Sequence, residues 1–164
     1  MKLTNEAWTQ YRNQAAQFAS YDHALYPFIG LLSELSEYHE ALAKWEDAPE
    51  GDDAEALSAL RYELGDCFWM LSRIVTFVPI NSGYTDINHA IAQENILRYS
   101  ARVLRGDSTL NHLVAQASAA FLMLYLLAEV DALEMDIEDI LNANIAKLTD
   151  RANRNVINGE GDKR

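Results

Sequence analysis

Little in this chain obliges it to turn. Three prolines and seven glycines are spread over 164 residues, and between them apolar residues recur at intervals of three and four almost throughout, the period of helices. The fold class expected is all-α. A lone cysteine, Cys67, excludes an internal disulfide. Basic residues are also scarce: 13 Lys and Arg face 25 Asp and Glu, a net charge of −12. Such a surface repels phosphate backbones and anionic membranes, which argues against nucleic acid and membrane as partners and favours a cation. The opening MKLTNEAW lacks the apolar core of a secretory signal, so the cytoplasm is the expected compartment. At 164 residues the chain has the size of one domain, 1–164, able to bury a core without metal or disulfide staples.

Six helices are predicted. The first runs from about Asn5 to Ser20 with Trp8, Tyr11, Ala15 and Phe18 on one face. Pro27 opens the second, whose stripe is Phe28, Leu31, Leu35, Tyr38, Leu42 and Trp45. A third spans about Asp53 to Val78, a fourth Asp86 to Leu104, a fifth Leu110 to Asp131 and a sixth Asp136 to Asn155. The ending NGEGDKR, Asn158 to Arg164, has the composition of a frayed tail. The run Leu113 to Val130 is close to the roughly 18 apolar residues that nominate a membrane span. It contains Gln116, Ser118 and Glu129 and lacks basic flanks, so it is read as the buried central helix of a bundle. The tripeptide Arg105 to Asp107 is read as a helix stop rather than an adhesion motif. A faint echo links Ile29–Ile74 with His89–Leu127, each a helix, a polar turn and a longer apolar helix. The second copy has Gln116 and Ala119 where the first has Glu63 and Asp66.

Those two acids raise the functional question. In YELGDCFWML, Tyr62 to Leu71, Glu63 lies at the margin of the stripe Leu57, Leu60, Leu64, Phe68, Leu71 and Val75, and Asp66 points nearly away from it. The far side carries Tyr62, Trp69, Met70 and Phe77. A helix apolar nearly all round is expected to be buried, and buried carboxylates are costly unless paired or metal-bound. The preceding helix offers Glu34 and Glu37, again three apart. Two antiparallel helices would bring the pairs together, and four converging carboxylates call for a divalent cation. Mg²⁺ suits an all-oxygen site, with Mn²⁺ the alternative. The competing reading puts Glu34, Glu37 and Glu40 on a solvated face and makes Glu63 an ordinary helix acid. A di-iron bundle needs Glu-x-x-His pairs, which His23, His39, His89 and His112 do not supply; they are read as surface or packing residues. Cys67, among apolar neighbours and with no nearby histidine, is read as packing.

Three segments, GLLSELSEYHEALAKW (Gly30–Trp45), ELGDCFWML (Glu63–Leu71) and NIAKLTDRANRNVINGEGDKR (Asn144–Arg164), together resemble the all-α nucleoside triphosphate pyrophosphohydrolases of the MazG-like superfamily, which includes the dimeric dUTPases. The resemblance covers about Tyr11–Leu71 and Asp136–Arg164, and leaves the hairpin between as an addition. It implies a Mg²⁺ site made by Glu34, Glu37, Glu63 and Asp66, with Ser33 standing where many members carry a further Glu. It also implies places in the Asn-x-x-Lys and C-terminal motifs for Asn144, Lys147, Arg151, Asp162 and Arg164. Physically, Asn144 and Arg151 fall within the apolar stripe Ile137, Leu141 and Leu148, where polar donors suit a phosphate-bearing ligand.

The expected activity is therefore Mg²⁺-dependent cleavage of a nucleoside triphosphate to monophosphate and pyrophosphate. Glu34, Glu37, Glu63 and Asp66 are the expected metal and catalytic residues, with Glu37 a candidate general base. Lys44, Asn144, Lys147 and Arg151 are expected on the substrate, and Trp69 or Tyr62 against its base. A homodimer is the expected assembly. Within enzymes the alternatives are a specialised dUTPase or dCTPase, or a phosphoribosyl-ATP pyrophosphatase. Outside them, the alternative is a non-catalytic helical scaffold or regulatory binder.

Overall fold

The computed structural model describes residues 2–21, 23–49, 53–79, 88–106 and 112–154. The tail positions Asp162 and Arg164, the expected start of the fourth helix at Asp86 and the tripeptide's Asp107 lie outside them. Six helices are present and no strand among the described residues: α1 Asn5–Ala15, α2 Tyr26–Glu46, α3 Asp53–Ser72, α4 His89–Leu104, α5 His112–Ala132 and α6 Ile137–Asn153. A turn of 3₁₀ helix, Ala16–Phe18, continues α1.

Local chemistry explains most of the ends. The Thr4 hydroxyl accepts from the Ala7 N–H at the start of α1, and Asp136 does the same for Glu138 at the start of α6. Pro27 sits in the first turn of α2. In α6, Glu138 and Asp139 occupy the first turn and Arg151 the last, the order that suits the helix dipole. Gly106, at φ 80°, turns the chain beyond α4 in the left-handed region where a side chain is strained.

The expected end of the third helix fails by more than a full turn. The third helix stops at Ser72 rather than Val78 because α1 takes its last carbonyls. Arg12 Nε donates to Ser72 O at 2.9 Å, Arg12 also reaches Thr76 O, and Trp8 Nε1 donates to Val75 O at 3.1 Å. Asn5 Oδ1 then accepts from the Val78 N–H at 2.7 Å. Side chains some 60 to 75 residues upstream thus satisfy groups that further helix would have used, a competition that local periodicity does not reveal.

The helices pair as two hairpins, α2 with α3 and α4 with α5. The second hairpin stacks on the first, α4 on α2 and α5 on α3, while α1 and α6 close the other side of α3. The sequence echo between Ile29–Ile74 and His89–Leu127 thus has a counterpart in topology. At Gly30 the end of the Met70 side chain lies against α2, where an added Cβ would stand 2.8 Å from Met70 Sδ and displace it. α5 is long and apolar enough to cross a membrane by length and composition. Here Ala115, Ala119, Leu122, Met123, Leu126 and Val130 lie in the core, and Leu113 and Phe121 remain exposed. On α3, Trp69 and Met70 are buried as expected of an all-round apolar helix, but Tyr62 is exposed, as is Phe77 beyond the helix end.

The core role of α5 predicts an asymmetry. Leu122→Ala, at a fully buried position, is expected to lower unfolding free energy by about 2–5 kcal/mol, and Leu113→Ala, at a position 75% exposed, to stay within about 0.5 kcal/mol. Urea denaturation of both variants checks it; equal effects would contradict this packing.

Candidate metal centre

The antiparallel packing of α2 on α3 sets two pairs of acids against each other. Residues three apart on a helix share a face, so Glu34 and Glu37 present one edge of α2 while Glu63 and Asp66 present the facing edge of α3. Carboxylate oxygens of Glu34, Glu37 and Glu63 lie within 4.8 Å of one another. Glu34 and Glu63 are half-buried and Glu37 is exposed. Mutual repulsion is the immediate consequence. Burial first, then the charges of Asp66, Glu37 and Glu63, push the Glu34 carboxyl up to about 8, with Lys147 pulling the other way.

The fourth acid of the expected set is arranged differently. Asp66 is 6% exposed and faces α6. Its Oδ1 accepts from Asn144 Nδ2 at 2.8 Å, and its Oδ2 pairs with Lys147 Nζ, also at 2.8 Å. Asn144 is itself buried, and the Tyr11 hydroxyl donates to its Oδ1 at 2.8 Å. Burial, reinforced by the Asp66 charge, raises the Tyr11 phenol well above its ordinary value, so it stays a donor. Gly65 makes this junction possible: a Cβ there would stand 3.1 Å from Asn144 Cβ and 3.2 Å from its Nδ2.

Around this centre the other candidates fall unevenly. Lys147 Nζ lies 5.3 Å from the centroid of the Tyr62 ring. Arg151 is half-buried, one turn further along α6. Lys44 lines a cleft of about 450 Å³ between α2 and α3 that also includes Glu37, Glu40, Glu55 and Glu63, so a cation stands among acids at the mouth of the cluster. Trp69 is 8% exposed and its indole Nε1 is buried without a partner. Of the two rings expected against a base, Tyr62 is therefore the accessible one. Cys67 is fully buried and its thiol is raised, chiefly by burial and then by Glu34, which suits packing and not nucleophilic attack.

The histidines have partners elsewhere. His23 Nδ1 accepts from the Leu25 N–H, His39 Nε2 lies 3.2 Å from the Tyr125 hydroxyl, His89 stacks on Tyr125 and His112 Nδ1 lies 3.0 Å from Tyr99. Sequence reasoning missed Gly65 and the role of Tyr11. A glycine inside an apolar helix, directly before an acid, is a readable signal of close backbone approach. Tyr11 gave no such signal, since its partner lies 133 residues away. Tyr26 was missed too. Its phenol is raised, first by burial and then by Glu34, and its ring stacks on Tyr21 at 4.6 Å.

No protein-family model, curated protein or solved structure matches the chain.

The raised Glu34 carboxyl makes stability depend on pH. Between its free value, 4.5, and about 8 the folded chain retains a proton that the unfolded chain has lost. Its contribution is therefore complete below the lower value and lost as pH rises to the upper one. Metal-free protein should unfold at less urea at about pH 8 than at about pH 5.5, and Glu34→Gln should flatten that difference. Urea midpoints of both proteins at both pH values measure it; the same slope in parent and variant would rule it out.

Proposed function

We propose that the protein is a Mg²⁺-dependent nucleoside triphosphate pyrophosphohydrolase that cleaves between the α and β phosphates. The observation that carries this reading is the convergence of Glu34, Glu37 and Glu63 beside the Asp66–Lys147 ion pair. The donor set fits the ion: with Glu34 raised to about 8 by burial and then by the charges of Asp66, Glu37 and Glu63, the cluster gains most from a hard divalent cation. Glu34, Glu37 and Glu63 would hold it, with Asp66 adjoining through α3. When bound, Mg²⁺ neutralises phosphate charge and lowers the pKa of the attacking water.

The chain's own groups do the rest. Glu37, the exposed acid of the cluster, takes the proton of the water that attacks the α phosphorus. The bond from that phosphorus to the bridging oxygen breaks, and pyrophosphate leaves with its electron pair. Lys147 and Arg151 on α6 and Lys44 on α2 hold phosphate oxygens and offset the negative charge that moves to the leaving group. Lys147 thus serves two anions, Asp66 in the resting chain and phosphate in the complex. The exposed ring of Tyr62 supplies a stacking face for the base.

A second reading rests on Asp66. A carboxylate held at both oxygens by neighbours on α6 also describes a structural ion pair, as expected of a non-catalytic helical binder built on the same bundle.

Pyrophosphate release from a panel of ribo- and deoxyribonucleoside triphosphates, including dUTP, separates the two and ranks the substrates. Release should require Mg²⁺ and fall at least about 100-fold in Glu63→Gln and in Asp66→Asn while helical content persists. Turnover of no nucleotide by folded protein would leave the binder in its place. Independently, Mg²⁺ should raise the urea midpoint of the parent and not of Glu63→Gln, since an ion that binds only the folded chain stabilises it by mass action.

A further inference from the structure

We propose that Tyr11, a residue of α1 outside the acid cluster, is a positioning residue for that cluster, acting through the Asn144 amide on Asp66. The inference rests on the metal-centre reading above and extends it to a helix that contributes no acid to the site.

An asparagine amide has two unlike ends, a carbonyl that accepts and an NH₂ that donates. Asn144 has 2% of its surface exposed, so both ends must be satisfied inside the protein. The Tyr11 hydroxyl donates to Oδ1 at 2.8 Å, which commits the carbonyl to α1 and turns Nδ2 toward Asp66 Oδ1, also at 2.8 Å. Gly65 lets the amide lie this close: anything larger than hydrogen would crowd Asn144 Cβ and Nδ2. Asp66 is then gripped on both oxygens, by Asn144 and by Lys147. Its charge is the largest of those that act on Glu34. The chain of influence runs from Tyr11 to Asn144, to Asp66, to Glu34.

Removing the Tyr11 hydroxyl leaves Oδ1 of a buried amide unpaired. Rotation of the side chain that seeks another partner for Oδ1 draws Nδ2 away from Asp66, and the carboxylate loses the restraint that Asn144 supplies. The ring remains, stacked on Trp8 at 5.6 Å, so Tyr11→Phe changes the hydrogen bond and keeps the packing.

The test compares Tyr11→Phe with Tyr38→Phe. Tyr38 is equally buried and also donates to a side chain, Glu129 on α5, away from Asn144. Two readouts are taken on ¹⁵N-labelled full-length chain. The first is the pair of Asn144 side-chain amide signals without metal, assigned by their loss in Asn144→Asp. The second is Mn²⁺ affinity by titration. Tyr11→Phe should shift the Asn144 signals, speed their exchange with water and weaken Mn²⁺ binding by about 10- to 100-fold. Tyr38→Phe should leave the signals and the affinity as in the parent. Parent-like Mn²⁺ affinity in Tyr11→Phe, or an equal loss in Tyr38→Phe, overturns the positioning role alone. A parent chain that takes up no Mn²⁺ overturns the metal centre and the positioning role with it, so the two failures are distinguishable.

Discussion

A carboxylate with 6% of its surface exposed has to be answered by the protein around it, and the answer to Asp66 organises three helices. It draws Lys147 and Asn144 from α6 across α3, and Asn144 in turn draws Tyr11 from α1. Gly65 follows from the same demand, because the amide must come close to the α3 backbone to reach the acid beside it. Four positions on three helices are thereby fixed by one charge. A break anywhere in that chain leaves a buried polar group unpaired, at about 1–3 kcal/mol each.

The facing side of α3 poses the opposite problem. Glu34, Glu37 and Glu63 are brought together by the antiparallel hairpin, and Lys147 offsets their repulsion only in part. Two groups of acids on one helix pair are thus treated differently: Asp66 is held by Asn144 and Lys147 from α6, while Glu34, with Glu37 and Glu63 close by, has its carboxyl raised by burial and then by its neighbours' charge. In the proposed reading that crowding of charge is what a divalent cation would relieve. The indole Nε1 of Trp69, one turn along α3 from Asp66, is a buried donor without a partner.

Periodicity made the six helices legible, and three of the four proposed acids, because both follow from the 3.6-residue repeat within single segments. It also placed Asn144 on the buried face of α6, where the structure has it. What it could not give were relations between segments. The end of α3 depends on Arg12 and Trp8, the partner of Asp66 depends on the register of α6 across α3, and the exposure of Tyr62 depends on which flank of α3 the other helices leave open. The end of α1 slipped for a smaller reason. No glycine or proline marks it, and the chain passes into a 3₁₀ turn over Ala16–Phe18, three residues with no strong preference against helix.

The two stacked hairpins divide the work unequally, and the division has a physical basis. Where α3 carries Glu63 and Asp66, the corresponding stretch of α5 carries the half-buried Gln116 and the fully buried Ala119. A second set of acids facing the first would add charge to a cluster that already holds one carboxyl protonated to about pH 8. An apolar α5 instead adds to the packing around α3, whose Leu64, Phe68 and Leu71 are fully buried, Phe68 edge-on to Trp8 of α1. That packing lowers the local dielectric beside the acids, which meet solvent at the exposed Glu37 and in the cleft beside Lys44. The same burial that raises Glu34 would strengthen every contact a bound cation makes there, so the apolar hairpin belongs to the electrostatics of the site as much as to the stability of the bundle.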